Sequence, residues 1–309
     1  MHARAIGDRP VQSRASLLTD SLRASSAEVH AAVSYIVPNG AQAYAYEYDP
    51  PPGAPRRSNA YREHFVRIRN ARALQQAPTL DTRGFELRPH TTRVQAFYDA
   101  EEVRSVYYPE IEELVKAATG AASVIVFDHT VRGENLEPRS GTEVQEPVSR
   151  VHNDYTPESA LRRAEDFVPA SDWQRLVGHR IVEVNVWRPI RGPVQGKPLA
   201  VIDAASVRPE DVVRCELIYR DRRGEIFYLA HNPAHEWYYY PDMRREETLL
   251  IKGYDSDSAQ ARFAAHAAFS NPLAPAGSLP RESIEVRAFA FFALEEPAPH
   301  LADYMVQWR

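Results

Sequence analysis

The second half of the chain is a series of short β-prone segments separated by turn residues, and this pattern restricts the fold more than any other feature. One segment, VEVNVW at 182–187, alternates cleanly between apolar and polar residues, which predicts a strand with one dry face. Short strands with turns between them predict an antiparallel sandwich or barrel. Other predicted strands lie at 124–128, 198–204, 216–219, 226–230, 237–240, 248–252 and 283–292.

The first half predicts additions to this β core rather than a second core. A Pro-Asn-Gly turn within 34–48 is typical of a hairpin. A rough helical period predicts a helix over 91–118, with an interruption at Pro109. Two more helical segments are predicted at 161–167 and 170–177.

Composition indicates an ordinary globular protein without a nucleic-acid or membrane partner. The net charge is −5, and the arginines are scattered rather than clustered. No segment reaches the roughly 20 apolar residues that span a bilayer. Cys215 is the single cysteine, which excludes an intrachain disulfide and fits a reducing cytoplasm. We expect a partly ordered extension at 1–32 and one domain at 33–309.

The motif most typical of a chemical function is the pair His152 and Asp154, at the predicted end of a strand. Residues two apart on a strand point to the same side, so the imidazole and the carboxylate can converge on one metal ion. One more histidine would complete the 2-His-1-carboxylate triad of non-haem Fe(II) oxygenases, which leaves three positions for O₂ and a co-substrate. Among eleven histidines, two polar residues of a surface loop are the simpler alternative.

The third ligand has three candidates, His231, His235 and His266. Pro233 separates the first two and prevents the helical spacing at which both would bind one metal. A packed or hydrogen-bonded histidine beside Trp237 explains His235 better. His266 directly precedes a strand-like segment, and a Pro-rich loop and the last predicted strand follow it.

The last predicted strand offers a site for a carboxylate. Arg281 and Ser283 share one face of it, and a guanidinium beside a hydroxyl matches the distal carboxylate of 2-oxoglutarate. Arg287 lies on the same face and is the alternative anchor. A surface salt bridge of Arg281 with Glu282 or Glu285 is the simpler structural interpretation.

Three further residues are predicted to line the pocket. Asn185 and Trp187 share the polar-aromatic face of the VEVNVW strand, which suits a β-barrel whose lumen holds ligands. Asn185 is a candidate donor to the C1 carboxylate of 2-oxoglutarate, and Trp187 is a candidate wall. An outward-facing polar strand is the alternative. Tyr155, next to a predicted metal ligand, is the third pocket residue.

Eight segments, in matching order, closely resemble the CmcJ/NvfI-like oxygenases. This family also includes AsaB-like hydroxylase/desaturases and gibberellin-desaturase-like proteins. The resemblance covers about residues 33 to 295. The segments are VFDHTVR (126–132), VHNDYT (151–156), NVWRPI (185–190), LAVIDAASVRPEDVV (199–213), NPAHEWYYYPDM (232–243), LLIKGYDS (249–256), HAAFSNP (266–272) and PRESIEVR (280–287).

The resemblance implies a mainly β fold with flanking helices, built on a double-stranded β-helix (jelly roll) core. It places the metal ligands on His152, Asp154 and His266. Arg281 and Ser283 occupy the matching positions for the 2-oxoglutarate clamp. The interval between His266 and Arg281 is longer than in better-known relatives, which keeps Arg287 as an alternative.

The implied activity is that of an Fe(II)/2-oxoglutarate-dependent oxygenase. Such an enzyme would use O₂ to hydroxylate, desaturate or cyclise a small specialised metabolite, with release of succinate and CO₂. Family analogy slightly favours a homodimer. One alternative is a cupin-like dioxygenase or isomerase that keeps the triad but does not use 2-oxoglutarate. Another is a non-catalytic binding module with a degenerate site.

Overall fold

The computed structural model describes residues 28–139 and 141–292, in which strands are more common than helices. The strands are β1 (Glu28–Ile36), β2 (Ala43–Tyr46), β3 (Tyr61–Asn70), β4 (Phe85–Pro89), β5 (Ser123–Gly133), β6 (Val144–Gln145), β7 (His152–Asn153), β8 (Ile181–Arg191), β9 (Leu199–Ile202), β10 (Val212–Ile218), β11 (Arg223–Leu229), β12 (Trp237–Tyr239), β13 (Glu247–Asp255), β14 (His266–Ala268) and β15 (Glu282–Phe291). The main helices are α1 (Tyr108–Thr119), α2 (Pro157–Glu165) and α3 (Ala170–Leu176).

Within the described residues, the strands form two sheets, and each sheet contains strands from both halves of the chain. The larger sheet has the order β1-β3-β12-β9-β14-β7-β11-β10-β2, and the smaller has the order β4-β13-β8-β15-β5-β6. From β7 onward the chain passes repeatedly from one sheet to the other, so residues distant in sequence face each other across the interior. The predicted mainly β jelly-roll fold with added helices is confirmed.

The predicted hairpin over 34–48 is wrong, although both of its strands exist. β1 pairs with β3, and β2 pairs with β10. The reason is burial: the inward residues of β1 pack in the core that contains Trp237, whereas Ala43 and Ala45 pack against Cys215 and Tyr228. Two apolar faces that serve different cores override the local turn signal.

The helix predicted over 91–118 is confirmed only from residue 100 onward. Asp99 caps its first turn by accepting hydrogen bonds from the backbone N–H groups of Glu101 and Glu102. A π-helical turn at Val103–Tyr107 then leads into α1, directly before Pro109. The predicted interruption is therefore a local widening of the helix rather than its end.

β8 separates a dry outer face from a polar inner face, as its alternation predicts. Val184 and Val186 pack outward beneath α1. Trp187 packs inward against the larger sheet, in a cluster with Val201 and Tyr238. The alternative of an outward-facing polar strand is therefore wrong, because helices cover the outer face.

β1 begins at Glu28, inside the segment 1–32 that we predict as an extension. Residues 1–27 and 293–309 lie outside the described residues, so the domain organisation stays a prediction. In the described part of the chain, the helices are too short or too polar to cross a membrane.

Candidate metal centre and co-substrate pocket

The structure brings the three predicted metal ligands together between the two sheets. β14 pairs with β7 so that His266 lies directly opposite His152. Asp154 follows β7, and its Oδ1 lies 3.5 Å from His152 Nε2. One ligand atom from each of the three side chains lies within 4.8 Å of the others. Two imidazoles and one carboxylate on one side of a cavity fit an Fe(II) ion with open positions.

Backbone carbonyl groups hold both histidines in the form that can bind a metal. His152 Nδ1 donates to the carbonyl of Arg150 at 2.8 Å, and His266 Nδ1 donates to that of Ala264 at 3.4 Å. The Nε2 atoms therefore carry the free lone pairs. Burial, with the neighbouring His152, lowers the pKa of His266 to about 4, so this ring is neutral at pH 7.

Asp154 is held ionised by two side chains on the opposite sheet. Its Oδ2 accepts hydrogen bonds from Asn185 Nδ2 at 2.9 Å and from Arg287 Nε at 3.0 Å. Burial opposes the charge, but Arg287 and the two histidines outweigh it and hold the pKa of Asp154 well below its usual range. Oδ1 is the oxygen that faces His152.

Arg287 is surrounded by carboxylates. Besides Asp154, its guanidinium contacts Glu285 at 2.7 Å and Asp128 at 3.4 Å, and donates to Thr130 at 3.1 Å. Burial disfavours the cation, but these carboxylates raise the pKa of Arg287 well above its usual value. Its positive charge is fully compensated by the protein.

Arg281 is buried to 2% exposure and has no comparable compensation. Its Nε donates to Ser283 Oγ at 3.0 Å, and its guanidinium lies 4.9 Å from the centre of the Trp187 ring. Within the described residues, no carboxylate forms a salt bridge with this side chain. Burial, reinforced by Arg132, lowers the pKa of Arg281 to about 9. The surface salt bridge considered from the sequence is therefore wrong, and the site suits an incoming anion.

β8 runs from the metal centre to Arg281. Asn185 reaches Asp154, and Trp187 lies two residues further on the same face, roughly 7 Å along the strand. Within the described residues, Asn185 Oδ1 and Trp187 Nε1 are buried without hydrogen-bond partners. Buried polar atoms without partners are uncommon in proteins, and these two belong to the residues of β8 that contact Asp154 and Arg281. Donation by Asn185 to 2-oxoglutarate stays a prediction.

Glu183 is a residue that we did not single out from the sequence. It is fully buried, and neither carboxyl oxygen has a partner within the described residues. A Cβ on Gly253 would lie 1.9 Å from its Oε2, so any other residue there would displace the Glu183 carboxyl group. Burial, then the charge of Asp154, raises the pKa of Glu183 well above its usual value. Its place on the same face of β8 as Asn185 was the available signal.

The other two histidine candidates lie elsewhere. His235 donates and accepts between Tyr35 (3.0 Å) and Asp211 (3.2 Å), beside Trp237. This confirms the packed, hydrogen-bonded interpretation of His235. His231 stacks on the ring of His64 at 3.8 Å.

Two cavities have volumes of about 410 Å³ each, and neither is lined by His152, Asp154 or His266. We call one of them the aromatic cavity; Tyr155, the residue after Asp154, forms part of its wall. The second, the edge cavity, runs along β5 and includes Asp128 and Thr130, both contacts of Arg287. The walls of the aromatic cavity include Tyr155, Phe227, Gly253, Tyr254, Arg262 and Phe263.

Known proteins with similar sequences and structures fit this geometry. A family model described as an oxidoreductase/YMDC permease-like domain matches residues 33–291. The Fe(II)/2-oxoglutarate-dependent dioxygenase nvfI of Aspergillus novofumigatus is 31% identical over 80% of this chain and 90% of its own length. The hydroxylase/desaturase efuI of Hormonema carpetanum is 32% identical over 76% and 86%. The solved structure of the iron and alpha-ketoglutarate-dependent endoperoxidase NvfI has a TM-score of 0.78 and 29% identity, with 87% and 100% coverage.

Proposed function

Since the chain belongs to the oxidoreductase/YMDC permease-like family and is similar to Fe(II)/2-oxoglutarate-dependent dioxygenases, we propose that it oxidises a C–H bond of a small specialised metabolite. The iron would be held by His152, Asp154 and His266, and 2-oxoglutarate by Arg281 and Ser283. The expected products are succinate, CO₂ and a hydroxylated, desaturated or cyclised metabolite.

The observation that carries the proposal is the convergence of the three ligand side chains beside an uncompensated buried guanidinium. A cupin-like dioxygenase or isomerase without 2-oxoglutarate would need the triad alone. Arg281 favours the 2-oxoglutarate enzyme, because a buried cation without a carboxylate is stabilised when an anion binds it. The spacing of roughly 7 Å along β8 suits a five-carbon dicarboxylate between iron and arginine.

Each side chain has a task that follows from its contacts. His152 and His266 would donate Nε2 lone pairs, and Asp154 would donate Oδ1, while Asn185 and Arg287 fix the other oxygen of Asp154. When bound, Fe(II) with 2-oxoglutarate and O₂ supplies the oxidising chemistry. The protein orients the co-substrate and limits access of water, since both histidines and Arg281 are largely buried.

An anaerobic titration with Fe(II) tests the proposal. We expect one equivalent to bind, 2-oxoglutarate to change the visible absorption of the bound iron, and O₂ uptake to accompany succinate formation. His152→Ala and His266→Ala are expected to lose iron binding, whereas His30→Ala, a change at an exposed histidine, keeps it. Stoichiometric binding in all three variants, or no succinate with any amount of 2-oxoglutarate, would contradict the proposal.

We also infer that the enzyme works in the cytoplasm with a small-molecule substrate and O₂ as its partners. The single cysteine, Cys215, is buried and unpaired, which supports a reducing compartment. A homodimer is the assembly that we expect; sedimentation of the purified chain distinguishes it from a monomer.

A further inference from the structure

The aromatic cavity is linked to the metal centre by Asn153 of β7 and by Tyr155, the residues on either side of Asp154. Tyr155 comes directly after Asp154 and forms one wall of the cavity. Asn153 Nδ2 donates to the carbonyl of Gly253 at 2.8 Å, which ties another wall residue to the same strand. A volume of about 410 Å³ with aromatic walls is typical of a site for an apolar small molecule.

Two arginines are the charged residues that line this cavity, and within the described residues no carboxylate lines it. Arg214 is already compensated, because it pairs with Glu158 at 2.8 Å and Glu225 at 3.0 Å. Arg262 is not: its Nε donates to the backbone carbonyl of Asp255 at 2.6 Å. In the described part of the chain, no carboxylate forms a salt bridge with Arg262.

The neighbouring ring explains how Arg262 is held ready for a ligand. Its guanidinium carbon lies 5.7 Å from the centre of the Tyr254 ring, another wall of the cavity. One N–H is fixed by the carbonyl of Asp255, so the planar fork has a defined orientation. A guanidinium oriented in this way offers two parallel donors to a carboxylate.

The edge cavity has a different electrostatic character. It is lined by Arg104 together with Asp128, Glu112 and Glu143. Carboxylates outnumber arginine there, and an anionic ligand would meet repulsion. Of the two cavities, the aromatic cavity therefore favours an apolar molecule with negative charge.

We propose that the aromatic cavity is the substrate-binding site, and that the substrate is an apolar, ring-containing molecule with a carboxylate that Arg262 binds. This assignment rests on the proposed oxygenase function, since it takes the oxidised bond to lie near Tyr155 and the metal centre. Arg262 acts as a specificity-determining residue, and the aromatic walls supply most of the contact area.

The test uses a matched pair of fluorescent probes, 1-pyrenebutyrate and its methyl ester, titrated anaerobically into the enzyme with Fe(II) and 2-oxoglutarate. The two differ in charge and hardly in shape. We expect the carboxylate to bind roughly 10-fold to 100-fold more tightly than the ester, as a charge-assisted hydrogen bond predicts. Equal affinities would overturn the proposal.

Three variants locate the effect. Arg262→Gln is expected to remove the preference for the carboxylate, whereas Arg214→Gln, at the compensated arginine, keeps it. Val212→Trp, which fills the cavity from β10, is expected to weaken both probes at least 10-fold. A preference that survives Arg262→Gln, or probes insensitive to Val212→Trp, would overturn the assignment.

Absorption of the iron with 2-oxoglutarate is measured in the same samples. If the iron and 2-oxoglutarate bind normally while the probes show no preference, the substrate assignment fails and the oxygenase function stands. If neither iron nor 2-oxoglutarate binds, the proposed function itself fails.

Discussion

Two arginines lie on the inner face formed by β15 and the residue before it, and their surroundings differ completely. At its middle, Arg287 contacts Asp154, Glu285 and Asp128 and is a compensated cation. Just before its first residue, Arg281 contacts a hydroxyl, a backbone carbonyl and an aromatic ring, with no salt bridge among the described residues. Both side chains are largely buried, with Arg281 2% exposed and the side chain of Arg287 11% exposed.

Because their surroundings differ, the two arginines have different roles although they lie on one strand face. The charge of Arg287 is neutralised by neighbouring carboxylates, so this residue does not attract an anionic ligand. It instead fixes the carboxylate that would bind iron. Arg281 is charged at the cost of an unfavourable environment, which an anionic co-substrate would relieve. Neither role is visible in the residue type; both follow from the neighbours that the fold supplies.

The largest expected effect is that of Arg281→Ala on 2-oxoglutarate. Removal of a buried charged partner costs about 2–5 kcal/mol, so we expect the dissociation constant of 2-oxoglutarate to rise by about 100-fold or more. Isothermal titration into the anaerobic Fe(II) enzyme measures it. The affinity for Fe(II) alone is expected to stay within about 3-fold of the original, since Arg281 does not contact the triad.

Ser283→Ala should weaken 2-oxoglutarate binding less than Arg281→Ala does. It removes a hydroxyl 3.0 Å from Arg281 Nε, and we expect a loss of about 3-fold to 10-fold in 2-oxoglutarate affinity. A loss from Arg281→Ala no larger than that from Arg287→Ala would reverse the assignment of the two arginines.

Arg287→Ala is expected to act on the metal instead. Loss of its hydrogen bond to Asp154 Oδ2 and of its charge should lower Fe(II) affinity by about 10-fold to 100-fold. Burial is the largest influence on the pKa of Asp154 and raises it, while Arg287 is the strongest of the groups that lower it, so the loss of Arg287 raises that pKa. The pH at which iron binding is half complete should therefore move upward.

Arg191→Ala is the matched control for Arg287→Ala. Arg191 ends β8 with about half of its side chain exposed and pairs with Glu282 at 3.4 Å. Iron affinity and its pH dependence should not change in this variant. If both arginine variants shift the metal-binding curve alike, the effect is general electrostatics and not the contact with Asp154.

The sequence predicted which side chains lie on one face better than it predicted their hydrogen-bond and salt-bridge partners. The strand period correctly placed Arg281 and Ser283 on one face, and His152 and Asp154 on one side, because period two is a property of any strand. The comparisons confirm the predicted family, which ordered motifs over most of the chain made specific. Which arginine lacks a carboxylate depends on strands far apart in sequence, and no local pattern contains that information.

The errors have the same origin. The Pro-Asn-Gly turn is a local signal, yet β1 and β2 pair elsewhere, because most buried residues of β1 pack in the core of Trp237, whereas those of β2 pack against Cys215 and Tyr228. The alternation of β8 predicts only that Glu183 shares a face with Asn185 and Trp187. Its isolation follows from the close approach of Gly253, a contact across β8 and β13 that the sequence does not encode locally.

Asn185→Ala should have a smaller effect than Arg287→Ala on the same carboxylate. It removes a neutral donor 2.9 Å from Asp154 Oδ2 and leaves the charge of Arg287 in place. We expect Fe(II) affinity to fall by about 3-fold to 10-fold, in line with one neutral hydrogen bond. If Asn185→Ala weakens 2-oxoglutarate more than iron, the amide binds the co-substrate directly, as the sequence suggested.

Glu183 is a buried acid without a charged partner, in contrast to Arg287, which is a buried cation with several. We expect Glu183→Gln to change the free energy of unfolding and not the binding of iron or 2-oxoglutarate. The native carboxyl keeps its proton because burial raises its pKa, whereas the unfolded chain ionises it above about pH 4.3. Above that pH the native state binds more protons than the unfolded state, so the stability of the original protein falls as pH rises. The glutamine variant has no such loss.

The two proteins should therefore be equally stable near pH 4. The variant should gain about 1.4 kcal/mol per pH unit above the unfolded pKa, until the native acid ionises. Denaturant unfolding of the metal-free chains with chelator, at several pH values, measures the difference. Glu63→Gln, at an exposed position on β3, should show no pH-dependent difference. A constant gap between Glu183→Gln and the original protein would mean that Glu183 is ionised in the folded state, and that a positive charge compensates it as Arg287 compensates Asp154.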